Sequence, residues 1–335
     1  MASIQTVRET HLTQITYLEA VRQALAEEME RDERVFLMGE DIGEYGGAFK
    51  VTAGFLERFG RERVIDTPIV ESGIVGAAAG AALMGQRPVV EMQFIDFLAN
   101  AFDQLVNYVA KTHWRWGEPM PLVIRGPAGG GVRGGPFHSQ SPEGFLNHCP
   151  GLKIVQPSTV HDAKGLLKAA IRDADPVVFL EHKFLYRRIK EELPEGDFTV
   201  PIGQAAIRRP GSDLTLLSYG AMVHACLRVA ESLAQEGVEA EVIDLRTLLP
   251  LDEDTILESV QRTGKVIIVH EDQRTGGIGG EIAAILAERC FEYLDGPILR
   301  VASRDCGVPY SAPLEDAFLP QEDDIQQACM QLASY

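Results

Sequence analysis

Thr67-Pro68-Ile69-Val70-Glu71-Ser72-Gly73, followed by Ile74-Val75-Gly76-Ala77-Ala78-Ala79-Gly80-Ala81-Ala82-Leu83-Met84, is the stretch that decides how this chain is read. Pro68 fixes a backbone angle near a turn, and the small-residue run after it reads as a helix. Glu71 stands where an extended segment, Arg63 to Asp66, passes into that helix. Gly76 and Gly80 lie about one helical turn apart and carry no side chain. Their spacing on one face lets another backbone approach closely there. A carboxylate at the mouth of an apolar helix is costly to bury unless something uses it. It is also an ordinary acidic residue in a first helical turn, where the dipole favours negative charge. The residues alone leave both readings open.

Outward from this helix the chain alternates. Thr16 with Glu19 predicts a capping box, and Leu18, Val21, Leu25 and Met29 fall on one helical face. Buried strands are expected at Val35 to Met38, Pro88 to Phe94, Leu122 to Arg125, Leu152 to Gln156 and Val177 to Glu181, with helices at Phe97 to Lys111 and His161 to Arg172. Phe102, Leu105, Val106 and Val109 are expected along one face of the first of these. After an acidic, proline-bearing break at Glu191 to Pro201 the rhythm restarts. Strands are expected at Leu214 to Ser218, Glu241 to Asp244, Val266 to His270 and Ile298 to Ala302, with helices between them and a last helix at Asp323 to Leu332. Such alternation predicts an α/β protein with mostly parallel sheets. The partition expected is an arm at 1–15, a first domain at 16–190, a connection at 191–205 and a second domain at 206–335.

A net charge of −18 argues against nucleic acid and anionic membrane surfaces as partners, since both select clustered lysine and arginine. The N-terminus lacks an apolar signal core. No apolar run reaches the roughly 20 residues of a membrane span. Five scattered cysteines without a Cys-x-x-Cys pair suit buried thiols in a reducing compartment. A cytoplasmic protein is expected, or one of an organelle matrix if a targeting peptide was removed.

Several residues could carry chemistry. Gly39-Glu40-Asp41 ends a strand, where α/β proteins place their sites, and an indirect role is expected for its carboxylates. Phe97 is either a core phenylalanine or a stacking platform. His138 follows a glycine-rich loop, Gly126 to Gly135 with Arg133 inside it, which is how a proton-handling imidazole is often presented. Gly277-Ile278-Gly279-Gly280 lacks the third glycine of a dinucleotide fingerprint and reads as a tight turn. His270-Glu271-Asp272 has no metal-ligand spacing partner and is expected at a strand end, at a subunit contact.

Glu71, Gly76 and Gly80, with an apolar residue after each glycine, resemble the motif of the pyrimidine-binding domain of thiamin-diphosphate enzymes. With Gly39-Glu40-Asp41, Gln93 to Gln104, Arg125-Gly126-Pro127, His138-Ser139-Gln140-Ser141-Pro142-Glu143 and Asp162-Ala163-Lys164-Gly165-Leu166, the chain resembles the beta subunit of the decarboxylating component of 2-oxo acid dehydrogenase complexes. The resemblance covers nearly the whole chain. It implies an N-terminal pyrimidine-binding domain and a C-terminal transketolase-like α/β domain. It implies that Glu71 hydrogen-bonds the aminopyrimidine of thiamin diphosphate, that Gln93 and Phe97 line that half of the cofactor, and that His138 helps transfer the acyl group to lipoamide. Some members carry tyrosine where Phe97 stands. Leu122, Ala170, Ile171, Asp173 and Asp175 match positions that bind structural potassium, largely through backbone carbonyls, although relatives often have asparagine at Asp175.

Gly-Asp-Gly, which opens the family's diphosphate motif, occurs nowhere in the chain. The resemblance therefore implies that an alpha subunit holds magnesium and the diphosphate, in an α2β2 assembly with the cofactor at the subunit interface. The acyl group would pass to a lipoyl acyltransferase core. The His138 to Glu143 run and Leu185-Tyr186-Arg187 resemble the members acting on branched-chain 2-oxo acids, and Trp114 and Trp116 depart from that group and leave pyruvate and acetoin open. A self-sufficient transketolase-like enzyme and a non-catalytic scaffold for the acyltransferase core are the alternatives. The missing Gly-Asp-Gly opposes the first, and the pairing of Glu71 with His138 opposes the second.

Overall fold

The computed structural model describes residues 14–335. The arm expected at 1–15 lies, as far as residue 13, outside the described residues. The first half runs β1 (Ile15–Thr16), α1 (Tyr17–Arg31), β2 (Val35–Gly39), α2 (Phe55–Phe59), β3 (Val64–Asp66), α3 (Glu71–Leu83), β4 (Arg87–Glu91), α4 (Ala110–Trp116), β5 (Val123–Ala128), α5 (Glu143–Asn147), β6 (Lys153–Val155), α6 (Val160–Arg172), β7 (Val177–His182) and β8 (Lys190–Glu191). The second half runs β9 (Ala206–Arg209), β10 (Leu214–Ser218), α7 (Met222–Gln235), β11 (Ala240–Asp244), β12 (Thr247–Leu249), α8 (Glu253–Thr263), β13 (Val266–Gln273), α9 (Gly279–Arg289), β14 (Leu299–Ser303), α10 (Ala312–Phe318) and α11 (Glu322–Ala333).

Among the described residues one sheet has the order β12-β6-β7-β5-β4-β2-β3, parallel except for β12. A second has the order β14-β13-β10-β11-β9, parallel except for β9. Covered on both faces, the central strands are apolar almost without interruption. Thr16 caps α1 as expected. Its hydroxyl accepts the Glu19 amide at 3.2 Å, and the Glu19 carboxylate accepts the Thr16 amide at 2.7 Å.

The two halves are not independent. β12 leaves the second half and pairs antiparallel with β6 at the edge of the first sheet. One core runs across the junction, with Leu146, Leu152 and Ile154 packed in the same cluster as Leu217, Ile243, Leu248 and Ile278. The short β strands 1, 8, 9 and 12 have no separate trace in the hydrophobic pattern, because edge strands of two to four residues bury too little to impose an alternation.

The helix expected at Phe97 to Lys111 is irregular. Ile95–Ala101 is a 3-10 helix, Gln104–Val109 a π-helix, and only Ala110–Trp116 is α-helical. The burial follows these periods. Ile95, Leu98 and Ala101 are buried three apart, and Ala101, Leu105 and Val109 four apart. This rotation leaves Phe102 exposed, contrary to the face expected from a uniform α-helix.

The face of α3 that carries Gly76 and Gly80 is left bare within this chain. The nearest atom to a Cβ built on Gly76 is a Gln104 side-chain carbon at 3.9 Å, and nothing lies within 4 Å of Gly80. Among the described residues no backbone closes on that face. Four cysteines are buried as expected, whereas Cys306 is exposed.

Candidate active site

Glu40, Asp41, Glu71, Gln93, Phe97 and His138 lie in the segments that leave the carboxyl ends of parallel strands β2, β3, β4 and β5, where ligands of α/β proteins bind. Glu40 and Asp41 follow β2, Gln93 and Phe94 follow β4, and the glycine-rich loop and His138 follow β5. Glu71 is the first residue of α3 and is only 7% exposed. No salt bridge among the described residues reaches it. Glu40 is buried beside it, and burial, then the charges of Glu71 and Asp41, push the Glu40 carboxyl up. The two carboxyl groups are thus neighbours, and among the described residues no salt bridge neutralises either.

Gln93 reaches Asp41 in a long contact of 3.5 Å. One residue on, the Phe94 ring meets the His138 imidazole edge-on at 4.5 Å between centroids. Phe97 meets the same imidazole at 5.5 Å, also edge-on. His138, Phe94 and Phe97 are half-buried and form an aromatic wall. The wall is braced from below by Phe49, 5.7 Å from Phe94 and 5.2 Å from buried Tyr186. Beside it, Asp96 accepts the Gln140 amide at 3.0 Å, and Gln140 accepts the Gly129 amide at 2.9 Å. Those two bonds close the base of the loop that carries His138.

Beneath the loop lies a buried charge cluster. Arg125 on β5 is held by Glu91 on β4 and by both oxygens of Glu181 on β7, at 2.5 and 2.8 Å for the latter. Tyr186 donates to Glu181 at 2.6 Å. Burial opposes the guanidinium charge, but Glu181 and Glu91 outweigh it and hold Arg125 protonated. Burial pushes the Glu91 carboxyl up, with Arg125 partly offsetting.

Sequence reasoning overlooked Phe94, Asp96, Lys183 and Glu315. Phe94 and Phe97 stand three apart, a spacing that a 3-10 turn brings to one face. Lys183 follows β7 directly, after Glu181 and His182 at its end, where a run of polar groups behind four apolar residues could have marked buried charge. Glu315 left no local signal. His270-Glu271-Asp272 stands at the end of β13, as expected, but the triplet is buried within this chain rather than presented at its surface for a subunit contact. The Glu271 carboxylate accepts from His182 Nε2 at 2.6 Å, and Asp272 accepts the Gly144 amide at 3.2 Å, so both hold the first half of the chain.

Leu122, Ala170, Ile171, Asp173 and Asp175 meet at one corner, between the start of β5 and the last turn of α6. The carbonyls of Ile171 and Asp173 both accept from Arg87, at 2.8 and 2.9 Å. Lys153 binds the Asp173 carboxylate at 2.7 Å, and His113 binds Asp175 at 2.5 Å. Helix-end carbonyls carry partial negative charge, and each keeps a second lone pair for a hard cation. Any cation at this corner would share the Ile171 and Asp173 carbonyls with the Arg87 guanidinium, while both carboxylates are already paired.

Residues 13–188 match the family model described as transketolase, pyrimidine binding domain, and residues 203–325 that of transketolase, C-terminal domain. The chain is 49% identical over 324 residues to the 2-oxoisovalerate dehydrogenase subunit beta of Bacillus subtilis (strain 168), covering 96% of this chain and 99% of that one. It is 47% identical over 316 residues to the pyruvate dehydrogenase E1 component subunit beta of Staphylococcus epidermidis, covering 94% and 97%. The corresponding pyruvate dehydrogenase subunit of Bacillus subtilis is 44% identical over 326 residues, covering 97% and 100%. Among solved structures, a split gene transketolase described as an inactive beta4 tetramer superposes with a TM-score of 0.78 at 22% identity, over 96% of this chain and 99% of that chain. That last likeness concerns the fold alone.

Proposed function

Because the chain belongs to the family of beta subunits of the decarboxylating component of 2-oxo acid dehydrogenases, we propose that it works with an alpha subunit to decarboxylate branched-chain 2-oxo acids such as 3-methyl-2-oxobutanoate and to pass the acyl group to lipoamide of an acyltransferase core. The site depends on thiamin diphosphate, as its pyrimidine-binding domain implies. The cofactor supplies the electron sink that decarboxylation needs. The observation that carries this reading is Glu71, buried without a cation and positioned at an open sheet edge. Its carboxyl would hold a proton at a ring nitrogen of the aminopyrimidine. Phe97 would stack on the ring, and Gln93 would line the same half. His138, steadied edge-on by Phe94 and Phe97, would move a proton at the acyl carbon's oxygen during transfer to lipoamide.

Large apolar side chains are exposed around this edge. Ile69 is 81% exposed, and Val70, Phe102 and Phe137 are exposed with it. Such a patch rimmed by polar residues is the mark of an assembly surface, and the bare face of α3 adjoins it. We place the alpha subunit there, holding magnesium and the diphosphate in an α2β2 heterotetramer. Among the described residues no helix is long and apolar enough to cross a membrane, and a cytoplasmic location is part of the proposal. Pyruvate or acetoin is the second reading of substrate; for pyruvate it is supported by identities of 44 and 47% to pyruvate-type subunits, close to the 49% to the branched-chain one. Turnover of the co-expressed assembly on 3-methyl-2-oxobutanoate, pyruvate and acetoin decides between them. Preference for pyruvate or acetoin would displace the branched-chain assignment.

Two further outcomes are expected. Calorimetric titration of the isolated chain with magnesium and thiamin diphosphate should give no saturable heat, whereas the assembly should titrate stoichiometrically. Tight binding by the chain alone would refute a divided site. Potassium, replacing sodium at equal ionic strength, should raise the thermal midpoint by about 2–5 °C, the scale of binding at 10–100 times the dissociation constant. Equal midpoints in the two salts would remove potassium from the corner of Ala170 and Asp173.

A further inference from the structure

The geometry points to Glu315, in the second half of the chain, as the residue that positions the loop bearing His138. This inference rests on the role proposed above for His138. The loop runs from Gly129 to Phe137, and its backbone cannot hold itself. Gly129, Gly131, Arg133 and Gly135 all have positive φ, at 82°, 76°, 65° and 70°. For Arg133, a residue with a Cβ, a left-handed backbone is disfavoured, so something must fix it there. Glu315 on α10 does so. Its carboxylate, wholly buried, accepts the Gly131 amide at 3.1 Å, the Arg133 amide at 3.2 Å and the Arg133 guanidinium at 2.6 Å. A carboxylate filled by three donors is a fixed anchor, and leaving those donors unpaired would be costly.

The same loop is gripped at neighbouring atoms. Gly130 donates to Glu271, and Lys183 donates to the Gly129 carbonyl. Burial lowers the Lys183 ammonium to about 8, while Asp96, Glu271 and Glu315 counter it. The groups facing this lysine are therefore Asp96 from the irregular helix, Glu271 from β13 and Glu315 from α10. Tyr310 closes against Gly135, where any Cβ would collide with its ring. Glu271, Tyr310 and Glu315, with Asp316 on the Arg133 guanidinium at 2.8 Å, thus tie the loop to the second half of the chain. The second half contributes no side chain to the aromatic wall. Its part in the chemistry is to set where His138 stands. Glu315 is a positioning residue.

The test uses the reconstituted assembly with Glu315→Gln, which keeps the side-chain volume but places an amide among three donors. Amide hydrogen exchange over residues 129–140 should rise at least about tenfold. Acyl transfer to lipoamide should fall about ten- to a hundredfold, the scale of a misplaced catalytic group, while decarboxylation read with an artificial electron acceptor changes less than about threefold. General damage to the fold would lower both reactions together. Arg133→Met, at a side chain 39% exposed, removes one arm of the clamp and should show the same pattern more weakly. It serves if Glu315→Gln does not fold. His138→Ala is the control. Unchanged exchange over 129–140 in both variants overturns the positioning role, as does an equal loss in the two reactions where His138→Ala splits them. If His138→Ala itself spares acyl transfer, the proposed role of His138 fails, and exchange alone then decides the clamp.

Discussion

Glu71→Ala lowers turnover of the assembly on its 2-oxo acid by about 10²–10⁴-fold, the usual worth of a positioned proton-handling group, and leaves the fold intact. The fold survives because two opposing effects are small. The substitution removes a charge that favours the α3 N-terminus, worth about 0.3–1 kcal/mol. It also removes the like charge that Glu40 feels from Glu71 in the same pocket. The thermal midpoint should therefore move little while activity collapses. Glu71→Gln should be nearly as inactive, since an amide keeps the volume and cannot hold the proton. Deuterium exchange at the thiazolium carbon of the bound cofactor isolates the step, and it should slow to the rate without protein. Exchange at the wild-type rate in Glu71→Ala would assign the carboxylate to the helix terminus alone.

Arg125→Met destabilises the chain by about 3–5 kcal/mol, the cost of breaking a buried ion pair from one side. The methionine fills most of the space, so the loss is electrostatic rather than a cavity. Glu181 would keep Tyr186 as a donor but lose both guanidinium bonds, and Glu91 would lose the partner that offsets its burial. Denaturant unfolding monitored by circular dichroism measures the difference. Adding Glu181→Gln to Arg125→Met should recover part of it, because the amide removes a buried charge. A loss below about 1 kcal/mol, or no recovery in the double variant, would show that the cluster is solvated. The effect should reach the site, since the cluster supports Tyr186, and Tyr186, Phe49 and Phe94 lead ring by ring to His138.

Local signals in the chain were enough for much of this protein. The capping box at Thr16 and Glu19, the entry of α3 at Glu71, the alternation of strands and helices, and the glycine loop ahead of His138 all depend on residues a few positions apart. They are written where they act. The motif at Glu71, Gly76 and Gly80 and the missing Gly-Asp-Gly likewise needed no coordinates to point to a shared cofactor site. The irregular helix was half legible: the apolar positions were visible, but their spacing of three and then four was read as one α-helical face. Fixed period assumptions fail where a helix changes its hydrogen-bond pattern to fit the sheet beneath it.

What tertiary structure alone decided concerns partners distant in sequence. Glu315 anchors Gly131 and Arg133 across more than half of the chain, Glu271 reaches Gly130 and His182, and β12 joins a sheet formed otherwise by the first half. A carboxylate at Glu315 looks like any acid on a helix until folding removes its water and offers three N–H donors in return. The candidate site residues were thus legible in sequence, whereas the long-range bonds that hold their loops in place emerged only when two sheets closed on a common core. Desolvation converts a residue type into a role, and it belongs to the folded neighbourhood rather than to the chain.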